Sequence, residues 1–324
     1  MVLSKLSGDE VGIVFGWLCN VLDPRIAIYF SSASKGLRTL TRALLQQLSV
    51  DHGAAAALCL KVGLRSCKEL REAKVFRWDG KGLTAADLAL LGTLGSVLPA
   101  VEGLEIVEPS SGPDGVQRLA ERLGAGALPA VTRFGFFRVH VGDVGTSALA
   151  TALGRGALPR LKSLALANAA IGDAELVALA PALRRLPALE HLSLIGNPLG
   201  DEGLAALVAP PPPAGAPPPP AGGQTKLKQL FLCYTEVTDA GCAALAAALD
   251  SGALPALELL DLDGIPASAT AIATVYEARA SLYDGESAWE DEESGSEEEE
   301  ESEEDEDEDE QGEDEGGEED GEGI

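Results

Sequence analysis

The sequence is poor in the residues from which most active sites and metal sites are built. Its 324 residues include three histidines and five cysteines, and neither type recurs at the spacing of a zinc site or a thiol-imidazole pair. Scattered cysteines without a C-x-x-C motif are typical of free thiols in a reducing compartment. The glycine motifs that bind nucleotide phosphates are also missing. We therefore expect a protein with no catalytic activity, no metal and no cofactor.

Positive charge is missing from one end of the chain. Residues 284–324 contain 26 of the 52 acidic residues and no lysine or arginine, whereas residues 1–283 keep 26 acids against 24 bases. A segment with so much negative charge and so little apolar material is predicted to be a disordered tail. It could act as a decoy for histones or other basic proteins, or it could simply keep the protein soluble. No basic surface for nucleic acid is expected.

Long apolar runs are absent as well. No stretch reaches the roughly 18 apolar residues of a membrane-spanning helix. The apolar segment at residues 11–22 follows two acidic residues, where a signal peptide carries positive charge, and no small-residue cleavage site comes after it. These features favour a protein of the cytoplasm or nucleus that does not bind a membrane.

What the sequence does contain is a leucine pattern that recurs through about two-thirds of its length. In the clearest copy, residues 186–207, Leu189, Leu192 and Leu194 are followed by Asn197 and Leu199. Seven copies begin at Leu70, Val101, Val131, Leu161, Leu189, Leu227 and Leu257, at spacings of 28 to 38 residues. The pattern resembles the leucine-rich repeat of the ribonuclease-inhibitor subtype. That resemblance implies an α/β solenoid with parallel strands on its concave face and helices on its convex face.

Two smaller features of the repeat carry structural expectations. Glycine stands at the fourteenth position after the start of four copies, at Gly115, Gly145, Gly203 and Gly241. It is expected there to let the backbone turn near the start of a helix. The asparagine that bonds buried backbone in typical repeats is kept only at Asn197, and its loss elsewhere predicts a less regular horseshoe.

The segment before the repeats, residues 1–66, carries apolar residues at helical spacing. The segment is similar to an F-box, a three-helix module that docks on the Skp-type adaptor of ubiquitin ligases. The residues that match are Leu6, Glu10, Val14, Phe15, Leu18, Asp23-Pro24 and Lys35. The segment departs from that family at Ser7, where proline is usual, and at Gly36-Leu37, in the region of its Lys-x-Trp. The resemblance implies adaptor binding through residues 6–40. The alternative is that these helices only cover the open end of the solenoid.

The chain therefore divides into a helical, F-box-like cap at residues 1–66, leucine-rich repeats at 67–283 and the acidic tail at 284–324. A proline-rich insertion at residues 209–223 interrupts the fifth repeat and explains the longest spacing. Because proline lacks an N–H donor and fixes φ, the insertion is predicted to form a polyproline II loop. It either docks in the aromatic groove of a partner domain or is a tolerated surface insertion.

The candidate binding site is the concave strand face. Because side chains alternate along a strand, the residues between the core leucines point away from the core. The residues predicted to bind a partner there are Arg71, Phe76, Val107, Arg133, Phe137, Arg138, Lys162, His191, Ile195, Lys228, Phe231, Tyr234 and Asp261. The apolar members form a discontinuous stripe, and exposed apolar area beside arginine is typical of a protein interface.

The sequence thus favours a protein-protein interaction scaffold that binds its partner on the concave face. The F-box resemblance extends this interpretation to a substrate receptor of a ubiquitin ligase. Two alternatives stay open. Repeats followed by an acidic tail are also the layout of the Ran GTPase-activating protein, which implies a regulator of GTP hydrolysis. The acidic tail would also suit a histone-binding protein.

Overall fold

A computed structural model describes residues 7–124, 126–208 and 226–282 of the chain. All of these residues belong to one unit that spans residues 1–286. The proline-rich insertion at 209–223, the acidic tail at 284–324 and Leu6 of the F-box-like segment lie outside the described residues. What the sequence predicts for them stays a prediction.

The described residues form four N-terminal helices and then seven strand-helix units. The helices are α1 (Gly8–Leu18), α2 (Arg25–Ser32), α3 (Lys35–Lys61) and α4 (Cys67–Glu72). The units are β1 (Val75–Asp79) and α5 (Ala85–Leu94), β2 (Gly103–Val107) and α6 (Gly112–Arg122), β3 (Arg133–Phe137) and α7 (Gly142–Gly154), β4 (Ser163–Ala167) and α8 (Asp173–Leu183), β5 (His191–Ser193) and α9 (Asp201–Val208), β6 (Gln229–Phe231) and α10 (Asp239–Asp250), and β7 (Leu259–Asp261) and α11 (Ala269–Ala278). The strands make one parallel sheet in the order of the sequence, which confirms the predicted α/β solenoid.

The recurring leucines fill the core between the sheet and the helices. Leu164 of β4 lies opposite Leu192 of β5, which lies opposite Leu230 of β6, and all three are fully buried. On the helical side, Leu179 and Leu183 of α8 are buried one turn apart. Each buried leucine contributes roughly 2 kcal/mol by leaving water. Because each unit shares this core with its neighbours, the stacked units stabilise one another.

The first repeat begins three residues later than the sequence predicted. A start at Leu70 would place Val75, five residues later, in the core position that Leu194 occupies in the clearest copy. The sheet instead pairs Phe76 with the core residue Leu104 and leaves Val75 exposed. Phe76 is only 4% exposed, and its ring centroid lies 5.0 Å from that of Trp78. Two aromatic rings bury more apolar area than a valine does. An odd shift of register moves every side chain of a strand to the opposite face.

Two of the four repeated glycines, Gly203 and Gly241, leave room for an aspartate of the preceding unit. None of the four has a positive φ, so the expected role in turning the backbone is wrong. Instead, a Cβ atom on Gly203 would lie 2.7 Å from Oδ1 of Asp173. That carboxylate accepts hydrogen bonds from the N–H groups of Gly200 (2.7 Å) and Gly203 (2.8 Å) in the next unit. The same contact recurs in Asp201 with Thr238 and in Asp239 with Ser268. These aspartates join the starts of successive helices.

Asn197 bonds the backbone of two neighbouring units, as expected for the asparagine of the repeat. Its Oδ1 atom accepts hydrogen bonds from the N–H groups of Ala169 and Ile171, both at 3.0 Å. Its Nδ2 atom donates to the carbonyl oxygens of Leu166 (2.6 Å) and Leu194 (2.7 Å). The side chain is fully buried, so these groups have lost contact with water and depend on it.

In the second unit, which lacks the asparagine, Glu108 forms hydrogen bonds with a neighbouring unit in its place. The buried carboxylate accepts hydrogen bonds from the N–H of Leu83 in the first unit (3.0 Å) and from the hydroxyl of Ser110 (2.5 Å). Burial acts to raise the pKa of Glu108, but the hydrogen bonds outweigh it and lower the pKa. A different polar residue therefore satisfies the backbone where the asparagine is missing.

The N-terminal helices join the repeats through α3. The second half of α3, with Leu58 and Cys59, shares the core of the repeats, and so does Leu22 between α1 and α2. Phe15 of α1 and Ala27 of α2 pack with Leu48 of α3 in a separate small core. Phe15 and Ala27 therefore lie outside the core of the repeats.

Candidate protein-binding surface

The sheet face that points away from the helices, the concave face, presents three columns of side chains. They run across strands about 4.8 Å apart. The first column is Val75, Gly103, Arg133, Ser163, His191, Gln229 and Leu259. The second is Arg77, Glu105, Gly135, Ala165, Ser193, Phe231 and Asp261. The third, at the strand ends, is Asp79, Val107, Phe137, Ala167, Ile195, Cys233 and Asp263. Apolar side chains thus occupy the middle of the third column, between two aspartates.

Phe137 lies along its own strand on the concave face. Gly135 has no side chain, and a Cβ atom there would lie 2.6 Å from Cε2 of Phe137. The same atom would lie 3.3 Å from Cβ of Ala165 on the next strand. Gly135 and Ala165 therefore leave space for the Phe137 ring, which is half-buried there. A ring already held in one position loses little side-chain freedom when a partner covers it.

In six of the seven units, the residue seven positions after the start of the repeat adopts a left-handed backbone. The positions are Gly80, Arg138, Asn168, Gly196, Tyr234 and Gly264, with φ between 50° and 65°. Glycine adopts this conformation without strain, whereas another residue costs roughly 1–2 kcal/mol. Arg138 and Tyr234 keep exposed side chains at this cost, and strained residues of this kind concentrate at binding sites.

Ion pairs hold most of the cations on and beside the concave face. The pairs are Lys74 with Glu102 (3.4 Å), Arg77 with Glu105 (3.9 Å), Arg138 with Asp79 (3.6 Å), Lys162 with Glu190 (3.5 Å) and Lys228 with Glu190 (3.7 Å). Partial burial acts to raise the pKa of Glu190, but Lys162 and Lys228 outweigh it and lower the pKa. Exposed pairs contribute about 0–1 kcal/mol each. In these pairs each cation already has a carboxylate of its own chain beside it.

Nine of the thirteen residues predicted to bind a partner lie exposed or half-buried on this face or at its edges. They are Arg133, Phe137, Arg138, Lys162, His191, Ile195, Lys228, Phe231 and Tyr234. Gln229 was missed, although its position two residues after Leu227 matches that of Arg133. Its Oε1 atom lies 2.7 Å from Nδ1 of His191.

The other four residues are corrections. Phe76 belongs to the core and Arg71 to helix α4, because the first repeat starts later than predicted. Val107 lies in the third column but is buried. Asp261 is also buried, and it accepts hydrogen bonds from the thiol of Cys233 and from the N–H of Asp263.

Comparison with known proteins gives one family match. A family model described as a leucine-rich repeat matches residues 186–208. No curated protein sequence matches the chain. Among solved structures, an internalin (inlF) from Listeria monocytogenes is similar over 61% of this chain and 62% of its own, with 15% identity and a TM-score of 0.32. A TLR13–ssRNA13 complex is similar over 67% of this chain and 33% of its own, with 16% identity and a TM-score of 0.33. The chain thus spans less than two-thirds of the length of either structure.

The matched segment contains β5 and α9, including Asn197 with its backbone contacts on both sides. The other strands continue the same parallel register in both directions. The chain has the fold of a leucine-rich-repeat solenoid.

Arg133 differs from the other cations of the leucine-rich-repeat face. Among the residues that the structure describes, it forms no ion pair, and its side chain is exposed. Its nitrogen atoms lie 3.5 Å and 3.6 Å from where a Cβ atom on Gly103 would be, and Val75 approaches the same point from the other side. A guanidinium carries five N–H donors. This one lies over a bare stretch of backbone, where a carboxylate from another chain can reach it.

The leucine-rich-repeat units hold no metal centre in their described part. No group of three His, Cys, Asp or Glu side chains among residues 7–124, 126–208 and 226–282 lies close enough to hold a metal ion. Burial raises the pKa of the Cys233 thiol to about 12, and nearby Asp261 adds to the shift. That thiol is therefore protonated and a poor nucleophile. No helix in the described ranges is both long and apolar enough to cross a membrane.

Proposed function

We propose that this leucine-rich-repeat protein is an interaction scaffold that holds a protein partner on its concave face. The observation that carries the proposal is the content of that face, where half-buried Phe137, Ile195 and Phe231 lie among exposed Arg133 and Tyr234. Aromatic and arginine side chains are the residues that contribute most to protein-protein binding. Covering them with another protein removes apolar area from water.

The charges on the face favour a partner that brings a carboxylate to Arg133. Arg77 and Arg138 already face Glu105 and Asp79, whereas Arg133 forms no ion pair among the described residues. Arginine pairs with a carboxylate through two parallel hydrogen bonds. Arg133 and Phe137 lie four residues apart on β3, which is roughly 13 Å along the strand. The partner should therefore present an acidic and an apolar group at about this separation.

Affinity capture with the full chain tests this proposal. Arg133→Glu reverses an exposed charge and leaves the core intact, and Phe137→Asp places a carboxylate in the apolar part of the face. Val177→Asp is the matched control, because Val177 is an exposed apolar residue of α8 on the helical side. Both face variants should lose the partner by tenfold or more, while the control retains it. Equal capture by all three variants would reject the proposal.

A second proposal concerns the N-terminal helices, which we infer bind a Skp-type adaptor and make the protein a substrate receptor of a ubiquitin ligase. Trp17 of α1 is 85% exposed and Tyr29 of α2 is 72% exposed, and Ile13 and Ile26 are exposed beside them in sequence. The small core under α1 and α2 is separate from the core of the repeats. Covering the end of the solenoid therefore does not account for these apolar side chains, and exposed apolar surface usually marks a binding site.

Titration of the full chain with purified adaptor tests the receptor proposal. Trp17→Ala and Tyr29→Ala should each weaken binding about tenfold or more. Leu60→Ala, at an equally exposed position (72%) near the end of α3, should leave binding unchanged. Phe15 is unsuited to this test because it is buried, so its loss would disturb folding. If the unmutated chain does not bind the adaptor, the receptor proposal fails and the scaffold proposal stands by itself.

The two alternatives gain no specific support from contacts among the described residues. The histone-binding interpretation depends on residues 284–324, which lie outside them. The interpretation as a Ran-type GTPase-activating protein rests on the order of repeats and tail. A place in the cytoplasm or nucleus accords with an adaptor-binding scaffold and forms part of the proposal.

A further inference from the structure

We propose that Cys59 and Cys67 are an oxidisable pair that forms an intrachain disulfide when the protein meets a small-molecule disulfide. Both are free thiols, and their Sγ atoms lie 3.9 Å apart. Cys59 is 1% exposed and Cys67 is 8% exposed. The pair lies on neither the concave face nor the exposed sides of α1 and α2, so this inference is independent of the proposed function.

The fold holds the two cysteines together where the N-terminal helices meet the repeats. Cys59 lies near the end of α3, and Cys67 begins α4. Between them the chain reverses, with the N–H of Leu64 donating to the carbonyl oxygen of Cys59 (2.8 Å) and with Gly63 at a φ of 89°. Glycine adopts that conformation without strain. Ser66 then caps α4, so both ends of the reversal are fixed and the thiols stay in contact.

The sulfur atoms need little movement to bond. A disulfide has an S–S distance of about 2.0 Å, so the two Sγ atoms must approach by about 2 Å in total. We expect rotation about the Cα–Cβ bonds of Cys59 and Cys67 to supply this approach. The bond would tie α3 covalently to α4.

The reaction is a thiol-disulfide exchange in two steps. The thiolate of Cys67, the more exposed sulfur, attacks one sulfur of the reagent, and one thiol leaves. The thiolate of Cys59 then attacks the Cys67 sulfur of this mixed disulfide, and the second thiol leaves. In total the protein gives up two protons and two electrons, and the reagent accepts them as its disulfide becomes two thiols.

The second step should be faster at higher pH. Burial raises the pKa of Cys59 to about 12, and the neighbouring Cys67 adds to the shift. The thiolate is the nucleophile, so little reactive Cys59 exists near neutral pH. The finished disulfide closes a short loop between the two cysteines. It should raise the melting temperature of the protein by on the order of 5 °C.

Peptide mapping after oxidation of the full chain tests the proposal. The folded protein is incubated with oxidised glutathione, digested with trypsin without reduction and analysed by mass spectrometry. Trypsin cleaves after lysine and arginine, so the expected product joins residues 43–61 to residues 66–68, two hydrogen atoms lighter than the two peptides. Its yield should rise between about pH 7 and about pH 9.

Two variants and one internal control make the result decisive. Cys67→Ser should abolish the joined product, and Cys242→Ser, which removes a buried thiol of α10, should leave it unchanged. Partly exposed Cys19 should carry a glutathione adduct, which shows that the reagent reacts with the folded chain. An adduct on Cys19 without the joined product, at either pH and in the unmutated chain, would overturn the proposal.

Discussion

Replacing Asn197 by alanine should destabilise the protein strongly, although it removes a single small side chain. The buried amide is the hydrogen-bond partner of the N–H groups of Ala169 and Ile171 and of the carbonyl oxygens of Leu166 and Leu194. Alanine replaces none of these bonds. The variant therefore leaves polar backbone groups of two units buried without a partner.

The magnitude follows from those groups. A buried N–H or C=O left unsatisfied costs about 1–3 kcal/mol, so the two N–H groups together account for about 4 kcal/mol. Each carbonyl oxygen has a second lone pair, so its loss adds less. Thr235→Val is the matched control. The buried Thr235 hydroxyl donates one hydrogen bond, to the carbonyl oxygen of Leu232 (2.7 Å), and its loss should cost about 1 kcal/mol.

Urea unfolding followed by circular dichroism measures both variants. With a denaturant dependence of about 3 kcal/mol per molar urea, Asn197→Ala should lower the unfolding midpoint by about 1.3 M and Thr235→Val by about 0.3 M. Equal and small shifts in the two variants would refute the reasoning that Asn197 holds neighbouring units together.

The remaining predictions concern packing, register and pH. Gly203→Ala should cost about 1–3 kcal/mol because the new Cβ atom would meet Oδ1 of Asp173, whereas Gly53→Ala, inside α3 with nothing within 4 Å, should stabilise by about 0.5–1 kcal/mol. Urea midpoints that move in the same direction would contradict this. Phe76→Ala should cost about 3–5 kcal/mol and Val75→Ala much less, as measured by thermal unfolding. A larger loss of stability for Val75→Ala than for Phe76→Ala would instead support the register that starts at Leu70. Burial acts to raise the pKa of Asp201, but hydrogen bonds from Thr238 and Gly241 outweigh it and lower the pKa below its usual 3.8. The folded pKa is then below the unfolded one, so the stability contributed by Asp201 is complete above the unfolded pKa and is lost as the pH falls through the lower folded pKa. Between about pH 6 and about pH 3 the melting temperature should fall further in the unmutated chain than in Asp201→Asn, and equal falls would show that Asp201 does not contribute.

Repetition is what made the later strands predictable. Leu164, Leu192 and Leu230 recur at the same place in successive repeats, and the structure aligns them in one core. The start of the first repeat was predicted wrongly because alanine, Ala73, occupies the position where the other repeats have leucine or valine. Leu70 matches the expected leucine in type, but it is buried in α4. A pattern read by spacing cannot distinguish a helix residue from a strand residue when both are buried.

The sequence predicts which strand side chains point to the concave face, but not how exposed each of them is. Alternation places Val107 and Asp261 on that face, yet both are buried, and the hydrogen bonds of Asp261 with Cys233 and Asp263 cannot be inferred from alternation. The sequence contained a signal for three aspartates, because each stands twelve residues after the start of its repeat. They are Asp173, Asp201 and Asp239. Their hydrogen bonds to the next unit explain why glycine follows two residues later in two of these repeats.

The central claim is that a protein partner covers the concave face. Hydroxyl-radical footprinting of the full chain, alone and with a partner obtained by affinity capture, measures this side chain by side chain. Oxidation of Tyr234, which is 63% exposed, and of Phe137 should fall several-fold in the complex, while Val144 on the helical side keeps its reactivity. Unchanged oxidation of Tyr234 and Phe137 in a complex that protects the helical side would contradict the claim.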